Sequence, residues 1–565
     1  MPSLLPSSPC TNPARSFRGW LPVLPANGLL LLVVTWIAGT QNQLLWLEVW
    51  KSVAGLATPQ AAGILAAVAL TLFSGTLLVA ALLGTRWLLR PALILLLLLS
   101  AGCSYFMNRF HVVIDQTMML NALQTDRREA AELMGWPLLM HLLVYGLLPA
   151  ILVALVPLRR ASALRETAHR LGLVLLMLSA TLACVFVQYR SVSSWARNHA
   201  DMRMYPNPVY PLYAASKFLH RAMIPSAEAA PQQIGRDAVR IAAPKGARPR
   251  VVILVLGETA RAANFQLDGY PRATNPQLAA MGDVLNFSNV WSCGTSTAVS
   301  VPCMFSAGGQ ENFDKDAVHH QENLLDLVQH AGVDVLWRNN NSGCKEVCLR
   351  VPTEDLSHAG DPAYCTSEGC HDEILLRGLA DLLDSGHDRL IVLHTLGSHG
   401  PSYYKRVPAE FRSFQPACEN DDLQQCSTQQ IVNAYDNTIV YADHLLARLI
   451  TLLHQHEDRI DSSMIYLSDH GESLGENGLY LHGMPYRLAP DLQKQVPMIA
   501  WFSQGMQQAQ GFDSACLRRS TGERRSHDNL FSTLLGLLSI RTGLYRAELD
   551  LLRECRAGPA VSAAG

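Results

Sequence analysis

The middle of the chain holds an apolar run, rich in β-branched residues, that ends in a carboxylate and a hydroxyl, Val251-Val252-Ile253-Leu254-Val255-Leu256-Gly257-Glu258-Thr259. Six consecutive apolar residues are typical of a strand that is buried on both faces of a sheet. Similar short runs follow, with helical patterns between them, at residues 333–337, 389–393, 463–467 and 496–502. This alternation predicts an α/β domain with a central, mostly parallel sheet covered by helices.

Potential metal ligands follow three of these runs. Glu258 ends the first run, His399 lies beyond residues 389–393, and Asp469 and His470 follow residues 463–467. Because open α/β sheets build their sites at the carboxyl ends of their strands, we expect these side chains to lie close together. One such residue alone is more often an ordinary loop residue, but four at equivalent positions favour a site. Carboxylate oxygens with an imidazole nitrogen suit Zn²⁺, and they also fit Mn²⁺ or Mg²⁺.

A candidate nucleophile lies in residues 293–303, which begin Cys293-Gly294-Thr295-Ser296-Thr297. The small hydroxyl residues precede a predicted helix start, where free amides and the helix dipole favour phosphate. A threonine hydroxyl is a weak nucleophile unless a base or a metal lowers its pKa, and the predicted metal would do so. The alternative is an ordinary helix N-cap. The residues alone do not choose between the three hydroxyls at 295, 296 and 297.

The first 190 residues have the composition of a membrane domain. They hold 13 Lys and Arg and 6 Asp and Glu, whereas residues 191–565 hold 32 and 41. A bilayer core needs about 20 apolar residues per helix. Five runs qualify, at about residues 21–46, 61–84, 87–107, 136–156 and 171–188. The sequence therefore predicts a five-helix transmembrane domain at 1–190 and an acidic soluble domain at 251–565 that does not suit nucleic acid.

The connection and the loops complete the predicted topology. Residues 191–250 are predicted to form an interfacial amphipathic helix at 212–224 and a linker. With the N-terminus inside, the inner segments carry eight basic residues and the outer loops four. By the positive-inside rule, five spans then place everything after residue 188 outside the cytoplasm.

The loop at residues 108–135 contains a polar strip. Asn121, Thr125 and Glu129 are spaced four residues apart, so they share one face of a helix. The ordinary interpretation is a solvated helix face at the membrane surface, and the spacing alone favours it. The alternative is a polar strip that contacts a lipid headgroup.

The cysteines agree with an extracytoplasmic domain. Of the 13 cysteines, ten lie after residue 290, and eight of these form close couples in the sequence. Local disulfides are the default in such a compartment, and we rank them above a cysteine-ligated metal. The predicted pairs are Cys293 with Cys303, Cys344 with Cys348, Cys365 with Cys370, and Cys418 with Cys426. Cys516 and Cys555 are candidates for a fifth disulfide.

Taken together, these motifs resemble the lipid A phosphoethanolamine transferases, a family that includes colistin-resistance enzymes and belongs to the alkaline phosphatase/sulfatase superfamily. The resemblance covers residues 21 to about 552. It rests on Gly257-Glu258-Thr259-Ala260-Arg261, Cys293-Gly294-Thr295-Ser296-Thr297, Ser468-Asp469-His470-Gly471-Glu472, Leu481-His482-Gly483 and Asn121-Ala122-Leu123-Gln124-Thr125-Asp126.

The resemblance implies a role for each matching residue. Thr297 is implied as the nucleophile that accepts phosphoethanolamine and contacts zinc, and the other zinc ligands are implied to be Glu258, Asp469 and His470. One zinc is implied to bind tightly. The positions implied to bind substrate are His399 and His482 (phosphate or a second metal), Asn341 and Lys345 (headgroup), and Asn121, Thr125 and Glu129 (lipid).

The family implies transfer of phosphoethanolamine from phosphatidylethanolamine to a lipid A phosphate, at the periplasmic face of the bacterial inner membrane, with polymyxin resistance as the result. A related transferase that acts on a core sugar or a glycan, with phosphoethanolamine or phosphoglycerol, is the first alternative, beside a sulfatase-like or phosphatase-like hydrolase. A transporter or envelope scaffold is the alternative outside enzymes. It predicts charges within the spans, whereas the arginines lie at their ends.

Overall fold

The computed structural model describes residues 21–84, 87–125, 127–159, 161–223, 231–314 and 320–556. The chain divides into two compact units. One unit comprises Met1–Arg109 with Trp136–Ser216, and the other comprises Phe110–Gly135 with Lys217–Gly565. The segment between the third and fourth apolar runs therefore belongs to the same unit as the C-terminal α/β fold.

The first unit is built from long apolar helices. Among the described residues, four helices are long and apolar enough to cross a membrane: Thr58–Leu83, Leu89–Phe110, Trp136–Leu155 and Ala163–Val187. Ala26–Thr40 and Gln43–Val53 qualify together as a fifth span. Many large apolar side chains of this unit are exposed, as expected of helices that face lipid; Leu82 is 71% exposed and Phe186 83%.

The first apolar run is not one straight helix at 21–46, because its two helices meet at an angle of 57°. Asparagine side chains satisfy the backbone groups at the break. Asn42 Nδ2 donates to the carbonyls of Ile37 and Asn207, and Asn207 Nδ2 donates to those of Gln41 and Ser100. Both asparagines are buried. A buried break in a helix is stable only where such partners exist, and Asn207 is distant in sequence.

Two helices form in the connection after the last span. They are Tyr189–Asn198 and Val209–Met223, so the predicted interfacial helix begins three residues before residue 212. In the predicted linker, Val239–Arg240 pairs antiparallel with Ile540–Arg541. That part of the linker is consequently held against the C-terminal fold.

An eight-stranded sheet organises the second unit. Its strands in chain order are β1 Arg250–Gly257, β2 Leu285–Trp291, β3 Asp334–Asn339, β4 Thr353–Asp355, β5 Arg389–His394, β6 Asp461–Ser468, β7 Gln495–Phe502 and β8 Arg525–Ser526. The spatial order is β8-β2-β7-β6-β1-β5-β3-β4. Only β7 runs antiparallel to its two neighbours in this sheet, so the predicted mostly parallel sheet is confirmed.

Strand β1 separates the two layers of the core. All eight of its residues are buried. Val252, Leu254 and Leu256 pack on one face with the helices Leu324–His330 and Asp528–Leu537. The alternate residues of β1 pack on the other face with the helix Thr428–His454. Helices on both faces explain why β1 is continuously apolar rather than alternating.

Five disulfides stabilise the second unit, and they join the cysteines that the sequence couples. Cys293 is joined to Cys303, Cys344 to Cys348, Cys365 to Cys370, Cys418 to Cys426, and Cys516 to Cys555.

Two of these disulfides lie in segments that carry candidate site residues. Cys293–Cys303 closes the segment that contains Thr297, and Cys344–Cys348 closes the turn that contains Lys345. The other three lie in segments without a candidate site residue. Cys365 and Cys370 are on paired strands of a two-stranded sheet, and Cys426 precedes the long helix Thr428–His454.

Candidate active site

The pairing of β1 with β6 brings the candidate ligands together. The two strands are parallel, with Ser468 beside Gly257, so Glu258 and Asp469 leave the sheet at the same level. Glu258, Asp469 and His470 are buried, and one ligand atom from each lies within 4.8 Å of the others. The site lies at the carboxyl edge of the parallel strands, where open α/β sheets place their ligands.

A bound cation would stabilise the charged side chains of this cluster. Burial and the neighbouring Glu258 charge raise the pKa of Asp469 to about 7. Burial opposes ionisation of His470, but the charge of Asp469 and the bond to Glu258 outweigh it and raise the His470 pKa to about 9. Burial also raises the Glu258 pKa, but His470 outweighs it and holds that pKa well below its usual range. Two adjacent buried carboxylates are costly unless a positive charge compensates them.

The donor atoms fit a divalent metal. Asp469 Oδ1 accepts hydrogen bonds from the backbone amides of Thr259 (3.0 Å) and His470 (2.7 Å). Asp469 Oδ2 accepts no hydrogen bond from the described part of the chain and lies 3.3 Å from His470 Nε2. A buried carboxylate oxygen without a hydrogen-bond donor, beside an imidazole nitrogen and a second carboxylate, is a donor set that Zn²⁺ accepts.

Thr297 is the first residue of the helix Thr297–Met304, and its hydroxyl faces this cluster. Its Oγ1 lies 3.1 and 3.2 Å from the two oxygens of Glu258 and 3.3 Å from His470 Nε2. The Thr295 hydroxyl instead donates to the carbonyl of Met484, and the buried Ser296 hydroxyl has no hydrogen-bond partner among the described residues. Of the three hydroxyls left open by the sequence, the structure brings Thr297 to the candidate ligands.

Two further histidines adjoin His470. The ring centroid of His482 lies 4.3 Å from that of His470 and 5.6 Å from that of His399. His482 Nδ1 lies 3.4 Å from Glu472 Oε2. Burial and the nearby His470 charge lower the pKa of His482. The structure therefore places both predicted histidines at the same site as Thr297.

The two predicted headgroup residues differ in their contacts with the candidate metal ligands. Asn341 Nδ2 donates to Glu258 Oε2 at 2.9 Å and to the Thr395 carbonyl at 2.8 Å, so Asn341 orients a candidate metal ligand directly. Lys345 Nζ donates to the carbonyl and the hydroxyl of Ser342, both at 3.0 Å. No described contact joins Lys345 to Glu258 or Thr297, so its role in headgroup binding stays a prediction.

The predicted lipid strip belongs to the second unit, but its three residues do not share one helix face. Asn121 lies on the helix Gln116–Gln124, which ends at the extended C-cap Thr125. Glu129 lies on the next helix, Arg127–Leu133, so the four-residue spacing does not place the strip on one helix. The helix that carries Asn121 packs near Gly483. A Cβ at Gly483, whose φ is +88°, would lie 3.7 Å from Asn121 Nδ2. The hydroxyl of the C-cap Thr125 donates to the Asn121 carbonyl of the preceding helix. The Glu129 side chain lies outside the described part of the chain.

Two residues that carry no local signal in the sequence support the site. Gly397 has φ +52°, and a Cβ there would lie 2.7 Å from the Glu258 carbonyl oxygen, so only glycine lets the two segments approach. Arg406 donates to the carbonyl of His399 at 3.0 Å and to Glu132 Oε2 at 2.6 Å. Glu132 is 274 residues distant in sequence, and no local pattern indicates that pairing.

We expect Arg406→Met to lower the free energy of unfolding of the second unit by about 3–5 kcal/mol, since it leaves the Glu132 carboxylate buried without its cation. Denaturant unfolding of the full-length protein in detergent measures the effect. Lys405→Met is the matched control, because the neighbouring Lys405 pairs only with the partly exposed Asp421 and the exposed Glu368 among the ion pairs of the described residues, and pairs of that kind contribute less than about 1 kcal/mol each. Equal losses in the two variants would contradict a dominant role for the buried pair.

Comparison with known proteins agrees with the residue pattern. A family model described as sulfatase matches residues 250–540, and one described as phosphoethanolamine transferase EptA/EptB matches residues 72–223. The chain is 42% identical over 475 residues to phosphoethanolamine transferase EptA of Salmonella typhimurium, covering 83% of this chain and 86% of that protein. It is 40% identical over 489 residues to phosphatidylethanolamine transferase Mcr-1 of Escherichia coli, covering 85% and 89%.

A solved structure shows the same architecture over nearly the whole chain. The integral membrane lipooligosaccharide phosphoethanolamine transferase EptA of Neisseria meningitidis superposes with a TM-score of 0.90 and 36% identity, covering 95% of this chain and 100% of that one. The similarity thus extends through the apolar helices as well as the sheet that carries Glu258 and Asp469. The chain belongs to the phosphoethanolamine transferase family and is itself a membrane-embedded transferase of that kind, as its motifs predict.

Proposed function

We propose that the chain transfers phosphoethanolamine from phosphatidylethanolamine to a phosphate group of lipid A through a phosphoethanolamine ester of Thr297. The observation that carries this proposal is the contact of the Thr297 hydroxyl with Glu258 and His470 in a buried site. The names of the relatives support the transferred group, and the resemblance of the motifs supports the acceptor.

Glu258, Asp469, His470 and Thr297 would hold one zinc ion. When bound, zinc supplies a Lewis acid that lowers the pKa of a ligated hydroxyl and offsets charge on phosphate oxygens. Asn341 keeps Glu258 oriented for this role through its 2.9 Å hydrogen bond. The first turn of the helix that begins at Thr297 adds free backbone amides next to the incoming phosphate.

In the first half-reaction, Thr297 Oγ1 attacks the phosphorus of phosphatidylethanolamine and the bond from phosphorus to the diacylglycerol oxygen breaks. The proton that Thr297 loses ends on the diacylglycerol hydroxyl, and we place His399 and His482 on its path because they adjoin the site. In the second half-reaction, an oxygen of a singly protonated lipid A phosphate attacks the same phosphorus, and the bond from phosphorus to Thr297 Oγ1 breaks. The proton that the lipid A phosphate loses ends on Thr297 Oγ1.

The remaining assignments concern the lipids. We assign headgroup contacts to Asn341 and Lys345, and lipid contacts to Asn121, Thr125 and Glu129. We assign residues 1–190, apart from Phe110–Gly135, to the membrane domain and 191–250 to the interfacial helix and linker. We assign 251–565 to the catalytic domain, on the periplasmic side of the inner membrane. Spans that hold the site at the membrane surface keep both lipid substrates nearby. The added amine makes lipid A less anionic and weakens polymyxin binding.

Intact-mass spectrometry of the purified, zinc-loaded protein tests the proposal. Incubation with phosphatidylethanolamine is expected to add the mass of one phosphoethanolamine group on Thr297, and lipid A is expected to remove it and gain the same mass. Hydrolysis of the phosphoethanolamine ester of Thr297 by water in the absence of lipid A would favour a hydrolase instead. Discharge onto a glycan but not onto lipid A would favour the alternative acceptors.

A further inference from the structure

A buried histidine outside every motif discussed above lies behind the site. His527 follows strand β8, precedes the helix Asp528–Leu537 and is 1% exposed. Its Nδ1 lies 3.0 Å from the backbone nitrogen of Cys293, and its Nε2 lies 2.9 Å from the backbone oxygen of Ser468. The ring thus bridges two segments that are 175 residues apart in sequence.

The two partners determine the protonation state of the ring. A backbone N–H only donates and a carbonyl only accepts, so Nδ1 is unprotonated and Nε2 carries the single proton. Burial lowers the pKa of His527 to about 3, which agrees with this neutral form. His527 is therefore a fixed connector with one acceptor and one donor, and proton transfer is not its function.

Each bridged segment leads directly into the reacting groups. Cys293 begins the segment that reaches Thr297, and its disulfide to Cys303 ties it to the helix that Thr297 opens. Ser468 immediately precedes Asp469, and its hydroxyl accepts from the Ala260 amide, two residues beyond Glu258. The sheet holds Ser468 beside Gly257, and the disulfide holds Cys293 to Cys303, but His527 joins the two segments to each other through one side chain.

We infer that His527 is a positioning residue that sets the separation between the nucleophile segment at Cys293 and the metal-ligand segment at Ser468. This inference rests on the proposed function, in which Thr297 is the nucleophile and Asp469 and His470 are ligands. A misplaced reacting atom costs rate even when every catalytic group is present.

Two substitutions of His527 each remove one of its two hydrogen bonds and keep the other. In His527→Asn, the amide oxygen takes the place of Nδ1 and keeps the bond to Cys293, but the side chain is too short to reach Ser468. In His527→Gln, the amide nitrogen takes the place of Nε2 and keeps the bond to Ser468, while the bond to Cys293 is lost. His456→Asn and His456→Gln are the matched controls. His456 is also buried and bonded to a backbone carbonyl, but it precedes the amino end of β6, whereas the candidate site lies at the carboxyl end of that strand.

We expect His527→Gln to slow formation of the Thr297 adduct at saturating zinc by about tenfold or more while its zinc affinity stays near that of the unsubstituted protein. We expect His527→Asn to bind zinc about tenfold more weakly but to form the adduct at near normal rate once saturated with zinc. Intact-mass kinetics with phosphatidylethanolamine and competition for zinc against a chelator measure the two quantities in the full-length protein. The controls are expected to change neither quantity.

Normal adduct rate in His527→Gln together with normal zinc affinity in His527→Asn would overturn the inference, even if both variants have a lower Tm, because a merely structural role predicts that pattern. If the unsubstituted protein forms no adduct, the proposed function fails. The zinc measurement then decides the inference: weaker binding in His527→Asn supports it, and unchanged binding overturns it.

Discussion

Thr297→Ala is expected to form the phosphoethanolamine adduct at least about 1000-fold more slowly than the unsubstituted protein, with zinc still bound through Glu258, Asp469 and His470. The reason is that Thr297 supplies the only one of the three neighbouring hydroxyls that contacts the ligand cluster in the described structure. Intact mass after incubation with phosphatidylethanolamine, followed by peptide mapping, measures the loss.

Ser296→Ala is the matched control for this experiment. It removes a buried hydroxyl from the adjacent residue, and no described residue forms a hydrogen bond with that hydroxyl. We expect it to keep an adduct on Thr297 at near normal rate. An adduct on Ser296 in the Thr297→Ala variant, or undiminished product formation without any adduct, would contradict a threonine ester and favour direct attack by an acceptor or by water.

Asp469→Asn is expected to weaken zinc binding by at least about 100-fold, more than the loss of a residue that merely orients a ligand costs. The carboxylate contributes the charge and the unbonded oxygen, and asparagine supplies only a neutral carbonyl. Chelator competition measures the affinity. The same variant is expected to lose adduct formation, because without the cation the pKa of the Thr297 hydroxyl stays high.

The stability of the zinc-free protein is expected to fall as the pH rises, which gives a second measurement. The raised folded-state pKa of Asp469, about 7, means that its protonation contributes stability at low pH, and this is lost as pH rises through about 7. The raised pKa of His470, about 9, contributes stability that is lost as pH rises through about 9. We therefore expect the Tm gain on adding zinc to increase with pH over this window.

In zinc-free Asp469→Asn, the loss of stability as pH rises through about 7 disappears, since asparagine does not titrate. We expect this variant to be at least as stable as the zinc-free unsubstituted protein at neutral pH and to gain much less Tm from zinc than the unsubstituted protein gains. Thermal unfolding with and without chelator, near pH 5 and near pH 8, tests both statements. A large zinc-induced Tm gain in the variant would mean that the metal binds elsewhere.

Local patterns were sufficient to predict the site's main components. The apolar run that ends at Glu258 has one periodicity and one polar terminus, so its strand and the position of its carboxylate follow from nearby residues. The same reasoning located Asp469 and His470 at the end of β6. Residues whose role depends on a distant partner gave no local signal; Glu132, Arg406 and His527 are the examples.

Hydrophobic periodicity is a local property, so the amino-acid pattern alone predicts the apolar spans, the mostly parallel sheet and the carboxylate and imidazole groups at its carboxyl edge. Which hydroxyl faces the ligands depends instead on contacts between distant segments. Thr295 to Thr297 have nearly equivalent chemistry, and the direction of each side chain depends on the helix start at Thr297 and on contacts to Met484 and Glu258. The bend of the first span likewise depends on Asn207, which reaches it only in the folded chain.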